Sequence, residues 1–182
     1  IFIGSQIALT GAMVYMVAHG VSIAAMFLLS GWLSRRGGTQ DMRQYGGMQR
    51  VSPVLAGLWL FSGLASIALP GLSGFVPEYL VLMGTWKVST LLALFAVLGV
   101  VLASLYMLMP YQRVFTGPPR EDKKHIADLN GREKTVMTPL VIAMLVLGIW
   151  AAPLVSALAP IADEGSHLLT AATATLSEGS AQ

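Results

Sequence analysis

The sequence predicts an all-α integral membrane protein, and three observations carry that prediction: its composition, the length of its apolar runs and the sorting of its charges. Of 182 residues, 55% are hydrophobic and only 11% are charged, with a mean hydropathy of +0.70. A soluble domain carries about 25% charged residues. Four apolar stretches, about 10–34, 53–86, 90–115 and 136–159, each exceed the roughly 20 helical residues that cross a hydrocarbon core. The bilayer core offers no water to backbone amides, so these stretches must be helical unless a break lines a protein or aqueous cavity.

Taken in order, residues 1–10 read as the tail of a fifth helix already under way, and the chain as the C-terminal portion of a longer protein. The first connection holds Arg35, Arg36, Arg43 and Arg50. The second holds or adjoins Arg113, Arg120, Lys123, Lys124, Arg132 and Lys134, and only Lys87 lies elsewhere. Short loops rich in Lys and Arg stay on the cytoplasmic side. Both long loops are therefore expected inside, with the 87–90 turn and the polar tail 160–182, bearing Asp163, Glu164 and Glu178, outside. The tail is rich in Ala, Thr and Ser and predicts a short amphipathic or frayed segment. A bacterial inner or plasma membrane suits this arrangement. A net charge of +2, segregated between loops, gives no argument for nucleic acid as a partner. Zero cysteines exclude disulfides, thiolate metal sites and iron–sulfur ligation within the chain. With no phosphate loop, dinucleotide fingerprint or nucleophile triad, no cofactor or metal is expected in this chain.

The second stretch is too long. About 34 residues of continuous helix would measure roughly 50 Å at 1.5 Å per residue, more than ordinary tilt absorbs. The interruption is written in Leu69-Pro70-Gly71-Leu72-Ser73-Gly74. Pro70 removes a backbone donor and clashes with the preceding turn, and Gly71 and Gly74 open conformations closed to other residues. Pro77 suits the first turn of a resumed helix, where its missing N–H is not needed. The expectation is a span broken near 70–77, with Glu78 in the first turn of its second half.

Eight of the nine acidic residues lie in loops or the tail, and Glu78 alone is embedded in apolar sequence. An ionisable group at a helix centre costs about 2.5–3.5 kcal/mol on insertion scales, so such residues usually face a bundle interior or a water path. Desolvation and the positive end of the half-helix act on the carboxylate in opposite senses, a balance that can poise a proton site near neutrality. The blander alternative makes Glu78 a helix cap or an interfacial group, although Ser or Asp would cap more cheaply. His19, the only histidine in an apolar stretch, is the second candidate: imidazole is a natural relay, and Ser22, one turn on, could orient it. Its alternative is a histidine satisfied by a backbone carbonyl. Tyr106 and Ser104 are lone polar groups in the third span, more often packing partners than relays. Lys87 beside Trp86 reads as an interfacial anchor.

Together, Met16-Val17-Ala18-His19-Gly20-Val21-Ser22, Phe27-Leu28, Asp41-Met42-Arg43 with Gly46-Gly47, and Leu69-Pro70-Gly71 with Gly74-Phe75 and Glu78 closely resemble the C-terminal third of the antiporter-like subunits of respiratory complex I, and among them the NuoM type. The resemblance covers about residues 4–158. It implies a fourteen-helix fold with two inverted five-helix repeats, each containing a broken helix, the Pro70 break matching the second. It implies proton translocation along a central polar axis by Glu78 and His19. Ser22, Pro70, Gly71, Gly74 and Tyr106 are the expected supporting residues. Glutamate rather than lysine after the break selects the NuoM type among its siblings. Pro77 departs from the small residue expected there. Flavin, iron–sulfur clusters and quinone would belong to partner subunits, and neighbouring antiporter-like subunits and the bilayer would surround the chain. Two other readings stay open: a subunit of an Mrp-type Na⁺/H⁺ antiporter or membrane-bound hydrogenase, and a structural spacer without an ion path.

Overall fold

Ser5 decides where the first helix begins. The computed structural model describes residues 3–179, with side chains through residue 169, and there α1 runs Gln6–Gly37. Ser5 caps it in extended conformation, its side chain accepting from the Ala8 amide at 3.3 Å. Residues 6–9 thus belong to the same helix as 10–34 and are not the tail of a separate fifth helix; Ile1 and Phe2 lie outside the described residues. A left-handed Gly38 (φ 69°) ends α1, and Arg35 and Arg36 sit in its last turn, where their charge complements the helix dipole.

The short α2 (Met48–Val51) leads into α3 (Pro53–Ser66), then the break, then α4 (Phe75–Val88), α5 (Thr90–Phe115), α6 (Gly131–Ile149) and α7 (Ala152–Gly179). All regular elements among the described residues are helical. α1 and α5 are long and apolar enough to cross a membrane, and α6 with α7 would make a third such element but for a bend of 72° between them. The stretch 136–159 is therefore not one straight helix. The Val146 carbonyl accepts from the Trp150 amide at 2.8 Å to close α6, Trp150 leaves helical geometry at ψ 64°, and Pro153 restarts the chain inside the first turn of α7.

α1 is the central element, packing along α4, α7, α3 and α6, while α5 leans on α4 and α3. The core joins Leu29 and Leu33 of α1, Leu55 and Trp59 of α3, Phe115 of α5 and Met137 and Met144 of α6. Rings at Trp59, Tyr111 and Phe115 stack with centroids 5.0–5.9 Å apart, within the favourable range for aromatic pairs. Leu91, Phe95, Leu98, Leu102 and Leu105 of α5 stay exposed, a face suited to lipid or neighbouring helices.

Both long loops lie at one end of the bundle. The Gly47 amide donates to the Thr116 carbonyl at 2.9 Å, Lys123 Nζ to the Gly37 carbonyl at 2.7 Å, and Ser52 Oγ to the Ile126 carbonyl at 3.2 Å. Asp128 accepts from the amides of Val54 and Leu55 at 2.9 and 3.0 Å, and so caps α3 from 74 residues away, Ser52 making no side-chain cap of its own. Asn130 and Glu133 form a reciprocal capping box on α6, and Glu133 also accepts from Arg36 of α1. In the second loop, a hydrogen bond from Arg120 holds the exposed Asp122 carboxyl below its ordinary range.

Candidate functional site

The break spans residues 67–74, between the end of α3 and the start of α4. The Ile67 amide bonds the Gly63 carbonyl and the Leu69 amide the Leu64 carbonyl, each at 3.1 Å, with Ala68 left-handed at φ 58°. This is a Schellman-type stop in which alanine occupies the place glycine prefers. The left-handed conformation costs a non-glycine residue about 1–2 kcal/mol, partly offset by glycine's freer unfolded chain. Ala68→Gly is accordingly expected to stabilise the full-length subunit by about 1 kcal/mol, read as a raised Tm in detergent; a lowered Tm refutes this account of the stop.

Three glycines make the break compact. Gly71 is left-handed (φ 88°), a Cβ on Gly74 would lie 2.4 Å from the Ala65 carbonyl oxygen, and one on Gly148 of α6 would lie 2.3 Å from the Gly71 carbonyl oxygen. Pro70 is exposed at the turn. Ser73 Oγ is buried without a hydrogen-bond partner among the described residues, the kind of group that an ordered water satisfies. Helix resumes at Phe75, which puts Pro77 third and Glu78 fourth in α4; the Glu78 amide makes the opening helical bond, to Gly74, at 3.2 Å.

Small residues set the register of α1 on α4. Ser5 Oγ donates to the Gly84 carbonyl at 3.2 Å, a Cβ on Gly84 would sit 2.5 Å from the Ala8 nitrogen, and one on Gly11 would sit 2.8 Å from the Val81 nitrogen and 3.0 Å from the Pro77 oxygen. The helices therefore run antiparallel, and the next turn of α1 brings Tyr15 to Glu78. There the Tyr15 hydroxyl lies close enough to the Glu78 carboxyl for the two groups to interact. His19, one turn further, stacks on Tyr15 with ring centroids 5.4 Å apart and planes 12° apart. Tyr106 of α5 lies close enough to interact electrostatically with Tyr15, although it is 64% exposed.

The two residues singled out by sequence are thus joined through a third that was not. Tyr15 reads in the sequence as one more aromatic in an apolar run. Its signal was its spacing, four residues before His19 on one helix face. Ser22 does not orient the imidazole: its hydroxyl donates to the His19 backbone carbonyl at 3.1 Å. Chemically, the arrangement offers a carboxylate, a phenol and an imidazole in sequence, each able to exchange a proton, beside the positive end of a half-helix.

An acid placed where a broken helix restarts, facing a neighbouring helix, is an arrangement that membrane transporters with discontinuous helices also use. Residues 1–104 match the family described as NADH:quinone oxidoreductase/Mrp antiporter, TM. The chain belongs to that family. It is 43% identical over 163 residues to NADH-quinone oxidoreductase subunit M of Mycobacterium tuberculosis, covering 90% of this chain and 30% of that protein. It is 39% identical over 176 residues to subunit M of Pseudomonas aeruginosa, covering 97% and 34%. The solved structure of respiratory complex I from Thermus thermophilus with bound NADH holds a chain that superposes with a TM-score of 0.86 at 34% identity, over 93% of this chain and 36% of that one. The chain spans about a third of the length of the relatives it matches.

Proposed function

We propose that the chain is part of a proton-translocating membrane subunit of NADH:quinone oxidoreductase, in which Glu78 exchanges protons with His19 by way of Tyr15. The observation that carries this reading is the Glu78–Tyr15–His19 sequence of groups at the restart of a broken helix. In this reading α3, the break and α4 make one discontinuous crossing, with α1, α5 and α6 as the others, within a larger fourteen-helix fold. The linked basic loops face the cytoplasm of a bacterial inner membrane, and α7 lies on the outer face. This chain supplies no redox group; flavin, iron–sulfur clusters and quinone belong to partner subunits, and its neighbours in the membrane are other subunits of the same complex.

The family description also names Mrp antiporters, and a Na⁺/H⁺ antiporter or membrane-bound hydrogenase subunit is the second reading. Purifying the full-length subunit with its native partners separates the two. Co-purifying flavin- and iron–sulfur-binding chains, with proton uptake driven by NADH, support the first. Cation–proton exchange by a complex without NADH oxidation supports the second.

Tyr15→Phe tests the link itself. Phenylalanine keeps the ring on His19 and removes the hydroxyl, so translocation in reconstituted vesicles is expected to fall about tenfold with assembly unchanged. An unchanged rate would mean that Glu78 and His19 communicate without the phenol.

A further inference from the structure

The end of α1 and the start of α6 meet at the loop end of the bundle and flank an open recess of about 290 Å³ lined by Trp32, Arg35, Asn130, Arg132, Glu133 and Val136. Its one acid is already engaged. Glu133 pairs with Arg36 at 2.5 Å and accepts from the Asn130 amide at 2.9 Å. Arg35 lies near enough to Glu133 to interact with it through space but makes no ion pair among the described residues, and neither does Arg132. Nη1 of Arg36 is buried with no acceptor among the described residues. With Arg35 and Arg132 in its lining and Glu133 engaged by Arg36, the recess therefore carries an excess of positive charge.

Its other wall is apolar. Val136 opens the apolar run of α6, and Leu140 and Leu28 follow one turn deeper on the same helix faces as Val136 and Trp32. Trp32, half-buried, has the aromatic, amphipathic character favoured at the level of lipid headgroups. A basic mouth over an apolar wall, between two helices of a membrane protein, complements an anionic amphiphile. Guanidinium forks grip phosphate oxygens in pairs, which ammonium groups cannot do.

We propose that this recess binds the phosphodiester of an anionic phospholipid in the leaflet on the loop side. Arg35 and Arg132 hold the phosphate, Trp32 packs at the glycerol level, and the acyl chains follow Leu28 and Leu140.

The test uses the full-length subunit in its native complex, reconstituted in phosphatidylcholine vesicles containing a photoactivatable phosphatidylglycerol, with cross-linked peptides mapped by mass spectrometry. Cross-links are expected within residues 28–36 and 131–140. Each arginine lost is expected to lower the yield about fivefold and Arg35→Gln with Arg132→Gln about thirtyfold, while Arg35→Lys with Arg132→Lys, which keeps the charge but not the fork, falls between the wild type and the glutamine pair. Native gels establish that the variants assemble. Should the glutamine pair not assemble, unlabelled phosphatidylglycerol must outcompete phosphatidylcholine on the wild-type complex. Three results overturn the proposal: equal labelling by a phosphatidylcholine probe, displacement by millimolar inorganic phosphate, which marks a free-anion site, or occupation of the recess by an acidic segment of a neighbouring chain.

Discussion

In the full-length subunit assembled with its partners, Glu78→Gln is expected to lower NADH-driven proton translocation by about 10²-fold, the scale on which a positioned acid–base group acts. Glutamine preserves the shape of the side chain beside Tyr15, so packing of α4 on α1 is retained. It cannot carry the exchangeable proton. Glu78→Asp keeps the carboxyl but withdraws it by one methylene from Tyr15, and an intermediate rate is expected. Dye-monitored proton uptake in inverted vesicles, normalised to the amount of assembled complex, makes the measurement. Full translocation by the glutamine variant would reduce Glu78 to a structural partner of Tyr15 and favour a spacer role for the break.

The second large effect is mechanical. Gly148→Val is expected to destabilise the subunit by about 3 kcal/mol, at the upper end of ordinary overpacking, because the new side chain meets backbone. Its Cβ would lie 2.3 Å from the Gly71 oxygen and 2.5 Å from the Leu72 backbone, and neither can rotate away. Either α6 moves off the break or the break is pushed out of shape beside Glu78. Reduced abundance of the assembled complex and a lowered Tm are the readouts. Gly57→Ala and Gly99→Ala, at helical positions with no described atom within 4 Å of the added carbon, are the controls and are expected to be neutral or mildly stabilising. Equal loss at all three positions would remove the case for a contact between α6 and the break.

Much of this organisation was legible in the sequence, for reasons that differ from one element to the next. The break was demanded by length alone and punctuated by Pro70, Gly71 and Gly74, and it was found there. Its true beginning at Ile67 was hidden, because Ala68 carries no sign of a left-handed backbone. The start of α1 is hidden in the sequence because apolar residues on either side of a cap look the same, and Ser5 is its only mark. The bend after α6 was missed because Trp150, Ala151 and Ala152 continue the apolar run without interruption, leaving Pro153 as its only mark. Glu78 and His19 stood out as ionisable groups in apolar surroundings. Tyr15, which joins them, could not stand out in that way, since a phenol in a hydrophobic helix is ordinary and only tertiary register gives it a partner. Ser22 shows the converse error: one-turn spacing from His19 was real, but the nearer backbone carbonyl took its hydroxyl.

The cap that Asp128 places on α3 bears on how the chain is made. The amides of Val54 and Leu55 find their acceptors in a residue that leaves the ribosome only after α4, α5 and most of the second loop. At about 5–20 residues per second, that is a delay of roughly 4–15 s. During that interval α3 is already in or near the membrane with its leading turn unfinished, and the two loops are not yet joined. Insertion of this bundle is therefore completed backwards: the broken helix that carries Glu78 acquires its final anchoring only when a later loop returns to close it.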